Sequence, residues 1–187
     1  IEIPRMKYYY DKQASERAVE FFPQCLVHVK GENANKPFHL QPWQQDILRT
    51  VFGWKRPDGT RKYHKVYCEI PRKNGKSTFA AGIAIYLLLC DKEPGAEVYS
   101  AASTRDQASL VYGMAASMLR ASSTLSKHVT IRDSVKRILH KKSDSFYRAI
   151  SADAEGAHGF NAHGIIFDEV HTQPTRDLWD VLDTSTG

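Results

Sequence analysis

The chain has 187 residues, 42% hydrophobic and 25% charged, a balance that fits one globular domain able to bury a substantial core and excludes a disordered or fibrous class. Its longest apolar stretch, residues 79–90, is too short to span a bilayer, so no membrane partner is expected. The formal net charge of +5 points toward a polyanionic partner, and three scattered cysteines, Cys25, Cys68 and Cys90, lack metal-ligand spacing and read as reduced core thiols.

From the N-terminus, residues 11–29 carry apolar side chains at helical spacing (Ala14, Ala18, Phe21, Phe22, Leu26), with Pro23 expected to bend or divide the helix. A polar loop over 31–37 closes an N-terminal helical lead-in of residues 1–37. A second domain unit, 38–187, opens with Leu40-Gln41-Pro42-Trp43-Gln44 and a helix to Phe52. Residues 55–64, with Pro57-Asp58-Gly59, predict an exposed turn or hairpin tip.

The next stretch carries the chemistry. Val66-Tyr67-Cys68-Glu69-Ile70 predicts a buried strand, Pro71-Arg72-Lys73-Asn74-Gly75-Lys76-Ser77 a tight loop, and Thr78 onward a helix. A strand feeding a Gly-Lys-Ser loop into a helix is the arrangement that holds nucleotide phosphates. Backbone N–H groups of Arg72, Lys73, Asn74, Gly75 and Thr78, in the loop that Pro71 opens, face the anion, Lys76 reaches the terminal phosphates and the Ser77 hydroxyl ligates Mg²⁺. The full pattern asks for a glycine five residues before Gly75, where this chain has Ile70. Gly-Lys-Ser alone also occurs in plain surface turns.

Beyond that helix, residues 97–102 predict a strand, and residues 103–121 a helix capped by Ser103 and Asp106. Residues 128–132 and 137–140 read as a hairpin and 146–151 as a third strand. Gly164-Ile165-Ile166-Phe167 then predicts an interior strand ending in Asp168-Glu169. Carboxylates at such a strand end lie where ligands bind in open α/β sheets. Asp168 would hold Mg²⁺ and Glu169 would polarise the attacking water. The plainer alternative is that both cap the following helix, near Pro174. Strands alternating with helices predict an α/β fold with a mostly parallel sheet flanked by helices.

Charge is segregated. Lys55, Arg56, Arg61, Lys62, Lys65, Arg72, Lys73 and Lys76 crowd the approach to the loop, and Lys127, Arg132, Lys136, Arg137, Lys141, Lys142 and Arg148 form a second basic run. Both suit duplex DNA bound through its phosphates, or else are solvated faces.

These motifs, in this order, resemble the ATPase domain of the large terminase subunit of tailed bacteriophages, over nearly the whole chain from Phe38. The basic Pro-Arg-Lys-Asn-Gly-Lys-Ser loop is the most specific part. The resemblance implies a P-loop NTPase of the additional-strand type. It implies Mg²⁺-dependent ATP hydrolysis that drives double-stranded viral DNA into a procapsid. The implied setting is a homo-oligomeric ring with portal protein and small terminase subunit, in the host cytoplasm. By resemblance Gln44 reads the adenine edge, with Trp43 near the base or in the core. Arg72 senses the γ-phosphate or is a solvated turn residue. Lys76 and Glu169 are catalytic, and Ser77 and Asp168 hold the metal. Arg105 contacts DNA or a neighbouring subunit, or serves as a capping or salt-bridge residue.

Two departures matter. Where many terminases place an arginine offered to the next subunit, before the glycine equivalent to Gly159, this chain has His158, which supplies much less charge to a phosphoryl-transfer transition state. The chain also reads as a fragment, ending before the coupling segment and the nuclease domain, so nuclease activity is not expected of it. Asp168-Glu169-Val170-His171 keeps a superfamily 2 helicase as the alternative, although Lys73 stands where helicases favour glycine. A nucleotide-binding scaffold without turnover would lack Lys76 or Glu169, and both are present.

Overall fold

The computed structural model describes residues 7–71, 73–151, 159–172 and 175–185. In chain order these form β1 (Tyr9–Tyr10), α1 (Lys12–Cys25), α2 (Pro42–Gly53), β2 (Trp54–Lys55), α3 (Lys76–Leu89), β3 (Glu97–Ala102), α4 (Arg105–Ala121), β4 (Val129–Arg132), β5 (Arg137–His140), β6 (Phe146–Ser151), β7 (Ala162–Phe167) and α5 (Asp177–Thr184). The five-stranded sheet runs β4-β5-β6-β3-β7. It is mixed: β3 pairs in parallel with β6 and β7, and β4-β5-β6 is an antiparallel meander. The parallel part carries the site, as the α/β reading requires, and the expected hairpin is β4–β5.

Helices α3 and α4 cover one face. α3 is apolar on nearly all sides, because it lies between the sheet and an outer layer of α1 and α2. Its approach to β7 depends on Gly164, where a Cβ would stand 2.6 Å from Leu87 Cδ1. The outer layer is fixed by edge-to-face rings, Phe21–Tyr86, Phe52–Tyr86 and Trp43–Phe79, each adding about 1 kcal/mol beyond its buried area. On the other face, α5 buries Leu178 and Leu182 against Tyr99, Ala101, Ile150 and Ala162.

Several expectations need correction. Pro23 does not divide α1, since it sits in the last turn and removes a single ladder donor, and the helix ends at Cys25, short of the expected Val29. α4 is capped by Thr104, whose hydroxyl accepts from Gln107 N at 3.3 Å, rather than by a Ser103–Asp106 box. Cys68 is exposed, while Cys25 and Cys90 are half-buried and free; burial pushes the Cys90 thiol up to about 12. The larger correction is the strand expected over 66–70. These residues form no strand, Val66 to Glu69 are exposed, and Tyr67 is 77% exposed. A strand exists through its ladder partner, and among the described residues nothing pairs with this segment. It is tethered instead through Lys65 Nζ, 2.7 Å from Asp183 Oδ1.

At the far end of the sheet, Asp91 joins three elements. Its carboxylate accepts from His163 Nε2 on β7 at 2.7 Å and is ion-paired with Arg61 of the turn before the loop. Burial alone would raise the Asp91 pKa, but the His163 hydrogen bond and the Arg61 charge outweigh it and hold the carboxyl below its ordinary range.

Candidate nucleotide site

The loop is built from two residues in the left-handed region, Lys73 (φ 68°) and Gly75 (φ 73°). Glycine accepts this conformation without steric cost, whereas Lys73 holds it with strain of about 1–2 kcal/mol. Asn74 Nδ2 donates to Pro71 O at 3.3 Å and closes the turn. Gly75 is the N-cap of α3, and Phe79 N donates to its carbonyl at 2.9 Å. The first turn of α3 therefore presents N–H groups with no intrahelical acceptor, together with the positive end of the helix dipole. The Thr78 hydroxyl is engaged elsewhere, 3.7 Å from Met114 Sδ on α4. Arg72 lies outside the described residues.

β7 brings the carboxylates to this turn. Asp168 N donates to Ala101 O at 3.0 Å, which fixes the strand end against β3. Ser77 Oγ donates to Asp168 Oδ2 at 3.2 Å, and Lys76 Nζ lies 3.2 Å from Asp168 Oδ1 and 3.8 Å from Glu169 Oε1. Asp168 is 11% exposed while Glu169 is half-buried, so one carboxylate is held in the floor and the other faces the opening. Neither carboxylate caps α5, which begins at Asp177 with Arg176 as its N-cap; a short 3-10 turn, Val170–Thr172, follows Glu169 directly, and Thr172 N donates to Glu169 O at 2.9 Å.

The structure adds Gln107 and Thr172, to which the sequence assigned no part, and places Ser103, expected only as a cap, beside them. Gln107 Nε2 approaches Glu169 Oε2 at 3.5 Å from the first turns of α4. Gln107 Oε1 is hydrogen-bonded to Ser103 Oγ, and Thr172 Oγ1 reaches both Ser103 Oγ at 3.0 Å and Glu169 O at 2.8 Å. These contacts close a ring around Glu169, whose φ of 51° is rare for a residue with a long side chain. Ser103 and Gln107 lie at the start of the helix expected over 103–121, but nothing local there indicates a partner 62 residues away.

Gln44 is 3% exposed, and its Oε1 accepts from Gln41 N at 2.8 Å, making it part of the N-terminal cap of α2. Trp43, half-buried, packs edge-on against Phe79 at 5.6 Å and sets the start of α2 beside the first turn of α3. Arg105 is exposed at the start of α4. His158 lies outside the described residues. A cleft of about 420 Å³ between α1 and the C-terminal end of α3, lined by Arg17, Cys25 and Cys90, is at the other end of α3 and contributes nothing to the loop.

The model of the terminase large subunit ATPase domain matches residues 42–186, which is most of the chain and includes every residue of this cluster. The chain belongs to the terminase large subunit ATPase family. Membership decides between the terminase and helicase readings of the Asp-Glu-Val-His run. The large terminase subunit of Enterobacteria phage HK97 is 29% identical over 175 residues, covering 92% of this chain and 34% of that protein. The crystal structure of the HK97 large terminase aligns with TM-score 0.80 at 28% identity, over 92% of this chain and 35% of that one. A Thermus phage large terminase ATPase domain aligns with TM-score 0.52 at 22% identity, over 60% of this chain and 52% of that one, a likeness of fold alone. This terminase-family chain thus spans about a third of the length of the HK97 relative.

The donors available to a cation are hard oxygens, Ser77 Oγ and Asp168 Oδ2, within 3.2 Å of each other. Among the described residues no cluster of three or more His, Cys, Asp or Glu side chains could hold a metal. One carboxylate and one hydroxyl, with substrate phosphates completing the shell, is the usual manner of holding Mg²⁺ and unlike a zinc site. The residues present fit that ion.

Proposed function

We propose that this chain binds ATP with Mg²⁺ and hydrolyses it, and that its parent uses the hydrolysis to translocate double-stranded viral DNA into a procapsid. The observation carrying this reading is the convergence of Lys76 on Asp168 and Glu169, at 3.2 and 3.8 Å, and of Ser77 on Asp168, at 3.2 Å, at the end of the parallel strands, in a family member. The first turn of α3 and Lys76 hold the terminal phosphates. Ser77 and Asp168 would hold the Mg²⁺, which would supply neutralisation of the charge on the phosphates. Glu169 orients and deprotonates the attacking water, a role that requires it to face the opening. Gln44 selects adenine beside Trp43, and Arg72 acts on the γ-phosphate. The remaining loop positions, Pro71, Lys73, Asn74, Gly75 and Thr78, contribute backbone.

The assembly proposed is a homo-oligomeric ring acting in the host cytoplasm with portal protein and small subunit. Arg105 is offered to DNA or to the neighbouring chain, and His158 stands where a finger arginine is usual. No described helix is long and apolar enough to cross a membrane. The test is ATP binding by calorimetry with phosphate release measured alongside. Wild type should bind and turn over, Lys76→Ala should lose binding, and Glu169→Gln should bind without turnover. Equal binding by wild type and Lys76→Ala would remove the loop from the site.

A further inference from the structure

The sheet face shared with α5 carries a row of like charges. In the register of the meander, Arg132 on β4 stands opposite Arg137 on β5, Arg137 stands opposite Arg148 on β6, and Arg148 stands opposite Tyr99 on β3. Directly opposed residues share a face and adjacent strands are about 4.8 Å apart, so three guanidinium groups start within about 10 Å of chain width. Like charges directly opposed destabilise a sheet. α5 covers the β3 end of this face, whereas Arg132 and Arg148 are exposed.

No described residue neutralises the row. Among the described residues no carboxylate forms an ion pair with Arg132, Arg137 or Arg148. Glu97, on the same face, is taken up by the Tyr99 hydroxyl at 2.6 Å and by Asn161 N at 3.1 Å. Arg137 is the fixed centre: its guanidinium carbon lies 3.9 Å above the Phe146 ring, and its buried Nε has no hydrogen-bond partner among the described residues. A stacked guanidinium flanked by two exposed ones on an open surface, with no carboxylate paired to any of them among the described residues, suits an anion.

We propose that Arg132, Arg137 and Arg148 form a ladder that grips the phosphate backbone of duplex DNA. This rests on the reading that the parent chain acts on DNA, and deepens it by locating a contact surface. The occupant follows from shape and charge. The ladder lies on a sheet surface rather than in a pocket, which suits a long chain of anions laid across it, and planar guanidinium forks match phosphate oxygens two at a time. No base-reading motif accompanies it, so the grip is independent of sequence. Lys127, Lys141 and Lys142, in the same basic run, lie at the opposite end of the hairpin, where Val129 pairs with His140, and stand outside the ladder.

The experiment uses the full-length protein and a random-sequence duplex, with affinity measured across a series of salt concentrations. Arg132→Gln with Arg148→Gln is compared with Lys141→Gln with Lys142→Gln, which removes the same charge. The arginine pair should reduce the slope of log K against log salt by about 1.8, at about 0.9 per phosphate contact, and the lysine pair should leave it nearly unchanged. Arg132→Lys with Arg148→Lys should keep the slope and lose several-fold in affinity. Melting temperature should hold or rise in the arginine-to-glutamine pair, because a repulsive neighbour is gone. An unchanged slope in that pair, equal slope losses in both pairs, or its failure to fold would each overturn the ladder. So would lost association between protein copies with DNA binding intact, which would assign the row to a protein carboxylate. Absence of DNA binding by wild type at every salt concentration would instead strike the DNA reading itself.

Discussion

Ser77 Oγ and Asp168 Oδ2 lie 3.2 Å apart across 91 residues of sequence. One belongs to the first turn of α3 and the other to the end of β7, and no described strand leads into the loop to set it beside β7. The registration comes instead from β3, which anchors Asp168 through Ala101 O, and from α3 packed on Gly164. If the two side chains hold one ion, their effects are not independent. Ser77→Ala and Asp168→Asn should each abolish most Mg²⁺-dependent turnover, and the double variant should be little worse than the poorer single. A double-mutant cycle on turnover checks this; simple additivity would separate the pair.

Gln107 should act on rate and leave binding alone. Gln107→Ala frees the Glu169 carboxylate without touching the phosphate loop, so turnover should fall about 10-fold with ATP affinity unchanged within a factor of about 2. Thr172→Val loosens the Glu169 backbone and should act in the same direction. Isothermal titration beside steady-state turnover separates the two quantities, and a parallel loss of affinity would make Gln107 a folding residue.

Gln44 has a structural duty and a proposed one. Its amide oxygen caps Gln41 N, so Gln44→Ala should lower stability by about 1 kcal/mol. The proposed adenine contact predicts a second effect, in which ATP affinity falls more than GTP affinity. Melting curves and competition binding measure the two apart, and equal loss for both nucleotides would leave only the cap.

Asp91 makes stability depend on pH. Its carboxyl pKa is held below the ordinary value in the folded chain, so its contribution is present above the unfolded pKa and is lost as pH falls through the folded one. Asp91→Asn should destabilise by about 2 kcal/mol at pH 7, and the difference from wild type should vanish in acid below the normal carboxylate range. Chemical denaturation at a series of pH values gives the curve. A constant difference at all pH values would show that packing, not charge, is involved.

Much of this fold was legible because its determinants are local. Glu97–Ala102, Phe146–Ser151 and the β4–β5 hairpin are short apolar or alternating runs with clear breaks, and α3 follows directly from Gly-Lys-Ser. Residues 66–70 have the same appearance and fail, because β-propensity states what a segment would do beside a partner and cannot supply one. Lys76, Ser77, Asp168 and Glu169 could be picked out by residue type and position at element ends. Gln107 and Thr172 could not, since their value lies in contacts that only the packing of α4 against the end of β7 creates. The arginine ladder was half visible: the basic run is in the sequence, but which of its members line up depends on the register.

Glu169 sits at a backbone angle that would cost a glycine nothing and costs a glutamate about 1–2 kcal/mol. Glu169→Gly would relieve that strain while deleting the carboxylate on which the proposed chemistry depends. The catalytically dead chain is thus the one expected to melt later. A screen that rewards thermal robustness alone would discard this side chain early, so its retention in any stabilised variant has to be enforced by selecting on turnover.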